Sequence, residues 1–247
     1  MTSSIDLLAI GAHPDDCELF AGGLLGSCAS KGHAIALCDL TRGEAATRGT
    51  PEERQQSAQS AAAILSIATR INLDLGDAGL ENTPAARTAL VRVLRQLRPR
   101  AVLTHDPADR HPDHTRAHEM VRECCFYATV GGFDKESARL EKEPFLFFFY
   151  GNAPVGEFRP DFIFPLSEED YARREAALAC YASQFHRANG PADSNLPPTL
   201  ISSAEYARAM QARYAWFGSA VGARYGEPYR FHRPPAVVDL LGLLNSF

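Results

Sequence analysis

Two short stretches of this chain concentrate imidazole and carboxylate groups where an ordinary turn needs neither. The first is His13-Pro14-Asp15-Asp16 and the second is Asp109-Arg110-His111-Pro112-Asp113-His114. Imidazole nitrogen and carboxylate oxygen are common donors to zinc. His13 and Asp16 stand three apart, as do His111 and His114, so each pair can face one way on a tight turn entering a helix. Three protein ligands with a fourth position open make a catalytic zinc site. His13, Asp16 and one histidine of the second cluster supply that set, and spacing alone leaves His111 and His114 both eligible. Asp15 then stays off the metal, aimed at its bound water. A site of two nitrogens and one oxygen also accepts iron(II) or cobalt(II). The competing structural reading makes Asp15, Asp16 and Asp113 simple helix caps. Two such clusters at equivalent positions of the chain weigh against it.

Positioning these groups requires a particular architecture. Residues 5–12 form an apolar run of strand length, and residues 19–31 a glycine-containing helix. Residues 33–39 read as a second strand. Thr50, Pro51 and Glu53 carry the capping-box signature of a helix that runs to residue 65. A third strand is predicted at 71–75, a helix at 83–97, a fourth strand at 101–105 and a helix at 113–127. Strands separated by helices of this length imply right-handed βαβ units. The expected fold is α/β, a Rossmann-like three-layer αβα sandwich with a mostly parallel sheet, in one domain over 1–247. The two clusters follow the first and fourth strands, so both emerge at the carboxyl edge, where doubly wound sheets bind ligands. The second half reads as a charged surface loop (131–143), strands at 145–150 and 161–165, and a helix at 168–180. A long loop (184–200) and a last helix (203–218) follow. The stretch 221–229, rich in glycine and tyrosine, is expected to close over the pocket or meet a neighbouring subunit. Tyr181, Phe185, Tyr225 and Tyr229 could stack on a ligand face, with most of them expected in the core or an interface instead.

Composition narrows the field. The chain has 247 residues, 45% hydrophobic and 22% charged, with a net charge of −5. With no basic excess, nucleic acid is not an expected partner. No apolar stretch approaches the roughly 20 residues of a membrane span, and the N-terminus lacks the basic region of a signal peptide. The six cysteines include no C-x-x-C pair, which suits reduced core residues in the cytoplasm. A dinucleotide-binding module is the rival class. Its first turn would read G-x-G-x-x-G, whereas this one reads GAHPDD, and two aspartates at a helix start repel a pyrophosphate.

AIGAHPDD (9–16) and HPDH (111–114) resemble the two signatures of the LmbE-like, or PIG-L-like, zinc-dependent N-acetylglucosamine deacetylases. LTRGEAATRG (40–49), ERQQSA (53–58), DRHPDH (109–114), YASQF (181–185) and GARYGEPY (222–229) are similar to the branch that deacetylates N-acetylglucosaminyl malate in bacillithiol biosynthesis. The resemblance implies His13, Asp16 and His114 as ligands of Zn2+ and Asp15 as general base. It implies that His111 assists the tetrahedral intermediate or protonates the leaving amine, with Asp113 as the neighbour that holds it. Arg54 matches a substrate-contacting arginine, and Glu44 and Arg110 lie at positions facing the site. It further implies a small amino-sugar substrate and a homo-oligomer, trimer or hexamer. Arg42, Arg54 and Arg110 would suit a carboxylate on the aglycone.

Overall fold

The computed structural model describes residues 4–151, 159–186 and 196–236. The chain alternates strand and helix through β1 (Leu7–Gly11), α1 (Asp16–Ser30), β2 (Ile35–Asp39), α2 (Pro51–Ile64), β3 (Thr69–Asn72), α3 (Pro84–Leu97), β4 (Ala101–His105) and α4 (Pro112–Tyr127). Then come β5 (Phe145–Phe149), β6 (Phe162–Leu166), α5 (Glu168–Leu178), α6 (Ala204–Ser219) and β7 (Tyr225–Phe231). The seven strands form one sheet in the order β3-β2-β1-β4-β5-β7-β6. β1 through β5 are mutually parallel, and β7 runs antiparallel to both of its neighbours. This is the expected α/β architecture.

Strand alternation separates two cores, as side chains of period two must. Leu7, Ala9, Leu37, Leu103, Phe147 and Phe149 join the cluster that packs on α1, α2 and α5. Leu8, Ile10, Ala36, Cys38, Val102, Leu146 and Phe148 join the cluster that packs on α3 and α4. All six cysteines are free, and four of them are buried.

Three boundaries differ from the sequence expectation. Helix α1 starts at Asp16, earlier than the apolar pattern shows, because its first polar residues are themselves buried. Strand β3 ends at Asn72, since Asp74 and Gly76 both take positive φ and turn the chain away. The stretch 221–229 is not a flap. Most of it is β7, inserted between β5 and β6, and Tyr225 and Tyr229 are core residues unable to stack on a sugar. Tyr181 is likewise buried, donating its hydroxyl to Glu18 at 3.0 Å. Residues 187–195 of the expected long loop lie outside the described residues.

Helix α1 carries the first cluster, and it is held from several sides. Its glycines allow close approach: a methyl at Gly22 would meet Arg174 Cγ at 3.0 Å, and one at Gly23 would meet Leu166 at 2.5 Å. Through that gap the buried Glu227 carboxylate accepts the N–H groups of Gly23 (2.9 Å) and Leu24 (2.7 Å). Arg174 and the Tyr214 hydroxyl both donate to Leu19 O, at 2.7 and 2.8 Å. Gly23→Ala is therefore expected to destabilise the protein by about 1–3 kcal/mol through overpacking. Denaturant unfolding measures this, and an unchanged midpoint would show that Leu166 and Glu227 can yield.

Candidate metal centre

β1 and β4 are hydrogen-bonded neighbours, while β1 leads on to β2 at its other side. The strand order thus reverses between them, and the crevice at such a switch point is where ligands bind in open α/β sheets. The loop after β1 presents His13 to Asp16, and the loop after β4 presents His105 to His114. The two loops are joined directly: Ala12 N–H donates to His105 Nε2 at 2.9 Å.

His13, Asp16 and His114 bring one ligand atom each within 4.8 Å of one another, all three residues buried. Asp16 lies at the centre. Its Oδ2 is 3.4 Å from His13 Nδ1 and its Oδ1 is 3.3 Å from His114 Nε2. The far nitrogen of each ring meets a carboxylate. His13 Nε2 is 3.0 Å from Asp77 Oδ1 and 3.4 Å from Asp113 Oδ2. His114 Nδ1 is 2.9 Å from Asp109 Oδ2. Carboxylates on the outer nitrogens of metal-binding histidines fix ring orientation and raise basicity. Two further groupings, His13/His111/Asp113 and His105/Asp109/His114, are as compact. In each of the three groupings the carboxylate also accepts backbone N–H groups: Asp109 Oδ1 that of His111, Asp113 those of Ala78 and Leu80, and Asp16 Oδ2 that of His13. Two imidazoles and a carboxylate make a donor set that suits a divalent cation, and His13, Asp16 and His114 offer it with all three residues buried.

Helix capping does not account for the aspartates. The Asp15 side chain caps nothing, although Asp15 is the N-cap residue of α1. Its backbone sits at φ 114°, a conformation that costs a non-glycine residue roughly 1–3 kcal/mol. The turn thereby directs the Asp15 carboxylate onto Arg54, whose Nη2 donates to Asp15 Oδ2 at 2.7 Å and to Pro14 O at 2.6 Å. Burial pushes the Asp15 carboxyl up to about 7, with Arg54 opposing and Asp16 reinforcing the shift. Arg54 is itself buried beside these groups. Gly43 takes φ 67°, and a side chain there would run into the Arg54 guanidinium.

At α4 the cap is a ring. His111 Nδ1 accepts the Asp113 N–H at 3.2 Å. An acceptor Nδ1 places the neutral ring's proton on Nε2. Burial, then the neighbouring His114 and His13, hold this ring below the usual histidine range. His111 is thus arranged as a neutral Nε2–H donor. Asp113 thus holds His111 through its backbone N–H, while its carboxylate lies on His13 and on the N–H groups of Ala78 and Leu80. Glu44 also plays a connecting part, its two oxygens accepting the N–H groups of Arg42 (3.2 Å) and Asp77 (2.9 Å). Arg42 pairs with Asp74. Arg110 is exposed, with no hydrogen bond or ion pair to a described residue.

Sequence reasoning missed three contributors. Asp109 stood inside the second cluster without a role. Asp77 comes from the turn after β3, and only the fold brings it to His13. His105 ends β4 fully buried, 3.2 Å from Asp16 Oδ2 and stacked on His114 with ring centroids 4.0 Å apart. Burial and then His114 push it down to about 4, which keeps it neutral.

A histidine–carboxylate centre at the switch point of a parallel α/β sheet defines a class of sheet-edge metal sites, and comparison with known proteins narrows the class. Residues 8–125 match the PIG-L family model, GlcNAc-PI de-N-acetylase. The uncharacterized deacetylase YaiS of Escherichia coli K12 is 33% identical over 57% of this chain and 80% of its own length. The diacetylchitobiose deacetylase of Thermococcus kodakarensis is 31% identical over 52% of this chain; the match spans only about half of that relative, 52% of its length. The solved structure of the conserved protein TT1542 from Thermus thermophilus is 35% identical, with a TM-score of 0.78 over 96% of this chain and 98% of that one. The chain belongs to the PIG-L/LmbE-like deacetylase family.

The protonation of the centre makes a prediction. Burial opposes charge on His114, but Asp16 and Asp109 outweigh it and raise the ring to about 9. In the metal-free protein this pair contributes stability that is complete below the unfolded value of about 6.5 and lost as pH rises through about 9. A metal needs the neutral ring, so uptake must release protons and metal affinity should rise with pH toward about 9. Calorimetric metal titration in buffers of different ionisation enthalpy tests this; an enthalpy independent of the buffer would refute it.

Proposed function

We propose that this chain is a zinc-dependent hydrolase that removes the N-acetyl group from an N-acetylglucosamine-containing small molecule, with N-acetylglucosaminyl malate the preferred substrate. The observation that carries the reading is the division of labour among adjacent groups. His13, Asp16 and His114 converge on one point, while Asp15 beside them holds a carboxylate that neither caps a helix nor joins that set. A bound metal supplies polarisation of the acetamide carbonyl and a water acidified from about 15.7 toward ~7.

The chain's own residues do the rest. Asp15 accepts the proton of the attacking water. Arg54 fixes its position and prevents it from swinging onto the ligand set. The His111 Nε2–H donates to the carbonyl oxygen as negative charge develops there. Its Nδ1 is occupied by the Asp113 N–H, so becoming an imidazolium would cost the α4 cap. Asp15, once protonated, is therefore the group that returns a proton to the leaving amine, and acetate departs. A carboxyl raised to about 7 suits both halves of that cycle.

The malate preference rests on Arg110. Of the three arginines near the site, Arg42 is paired with Asp74 and Arg54 with Asp15. Arg110 adjoins His111 at the surface and is available to a carboxylate on the aglycone.

The test is acetate release from N-acetylglucosaminyl malate, free N-acetylglucosamine and diacetylchitobiose, with and without a chelator. Asp15→Asn should retain metal by elemental analysis and lose roughly 10²- to 10⁴-fold in kcat. Full activity in that variant would remove Asp15 from its role. Arg110→Ala should raise KM for the malate conjugate and leave that for diacetylchitobiose unchanged. Equal effects on both would remove the malate preference while leaving deacetylation standing.

A further inference from the structure

Arg213, on α6, lies almost 100 residues beyond the second cluster, yet it reaches the support of that cluster. Its Nη1 donates to Gly151 O at 2.8 Å and its Nη2 to Tyr150 O. Its guanidinium stacks over the Tyr150 ring at 4.0 Å and stands 5.8 Å from the centroid of Phe20. Among the described residues no carboxylate pairs with it, and its Nε is buried without a partner. A guanidinium placed this way holds the two successive carbonyls that follow β5.

Gly151 presses on Asp109. A methyl group on Gly151 would overlap Asp109 Oδ2 and come within 2.9 Å of its Cγ. Oδ2 is the oxygen on His114 Nδ1, and Oδ1 accepts the His111 N–H at 2.9 Å. The Asp109 side chain is completely shielded from solvent. Only a residue without a side chain lets the backbone seal that carboxylate.

We propose that Arg213 and Gly151 are positioning residues of the metal centre: Arg213 clamps the Tyr150 and Gly151 carbonyls just after β5 so that Gly151 holds the Asp109 carboxylate on His114. The inference rests on His114 being a ligand. It adds a contribution from the second half of the chain, which the match to the family model does not reach.

The experiment loads the full-length chain with cobalt(II) and reads the metal dissociation constant by chelator competition, together with the visible ligand-field spectrum. Gly151→Ala should weaken metal binding by roughly 10- to 100-fold, the range for loss of an outer partner of a ligand, and shift the spectrum as Asp109→Asn does. Combined with Asp109→Asn it should add nothing, since both act on one contact. Arg213→Met should move affinity and spectrum the same way, and Arg213→Lys should recover part of the loss. Wild-type affinity and spectrum in Gly151→Ala and Arg213→Met, or losses that add in full to that of Asp109→Asn, overturn the proposal. If Gly151→Ala does not fold, the two Arg213 variants decide it on the same readouts. His114→Ala separates the two levels. Loss of metal there with unchanged Arg213 and Gly151 variants sinks this inference alone, and undiminished binding sinks the metal-site reading together with it.

Discussion

The carboxylate of Asp16 is the point on which the site closes. It is buried, and it touches both clusters: His13 N–H donates to Oδ2 at 2.8 Å, and the rings of His105 and His114 stand at 3.2 and 3.3 Å. A charged carboxylate out of water is costly unless cationic or hydrogen-bonding groups surround it. Burial works to raise Asp16, but the charged His114 beside it outweighs that and keeps the carboxyl well below its usual range. The first turn of α1 therefore cannot be placed without the start of α4. The sheet permits this because β1 and β4 are adjacent and end together, with Ala12 N–H and His105 Nε2 as the tie.

Holding Asp16 still is the business of α1, and α1 is unusual in being buried along most of its length. A helix with no solvent face has polar backbone ends and small-residue gaps that other elements must fill. Glu227, Arg174 and Tyr214 fill them, arriving from β7, α5 and α6. The less regular second half of the chain thus braces the more regular first half. The same logic applies at the other cluster, where Gly151 lies against Asp109.

The strands and helices of the first half were legible because their periodicity, caps and turn residues agree. Thr50, Pro51 and Glu53 form the capping box that their spacing implies, and Thr83 caps α3 just before its Pro84. The clusters were legible because His and Asp have no other reason to end two parallel strands. β7 was not, since Gly226 and Pro228 are turn residues by every local rule. Pro228 is opposite Ile163 within the sheet, and a side chain at Gly226 would strike Gly218 and Ile163. Packing against α6 demands the glycine there, so a tertiary contact overrides the local signal. Asp77 was invisible for a different reason. It reaches His13 from a turn 64 residues away, and no spacing rule spans that distance. Asp113 was seen beside His111, which its backbone N–H does meet, but only the fold shows that its carboxylate points at His13.

Charge balance gives the arrangement its sense. Asp15, Asp16, Asp77, Asp109 and Asp113 surround the centre, and Arg54 neutralises only the first of them. Among the nearby imidazoles, His105 and His111 are held low by burial and by their charged neighbours, whereas carboxylate partners outweigh burial at His13 and His114 and raise both. The two rings held in the charged form are the two whose nitrogens converge with Asp16. Two protons carry the same charge as one divalent cation. The metal-free and metal-bound centres are then nearly equal in net charge, and the surrounding carboxylates need not rearrange between them. A trivalent or monovalent ion would upset that equality by a full unit in a buried place, where such a change is expensive. The outer carboxylates would thus suit a divalent ion as much as the three candidate donors do.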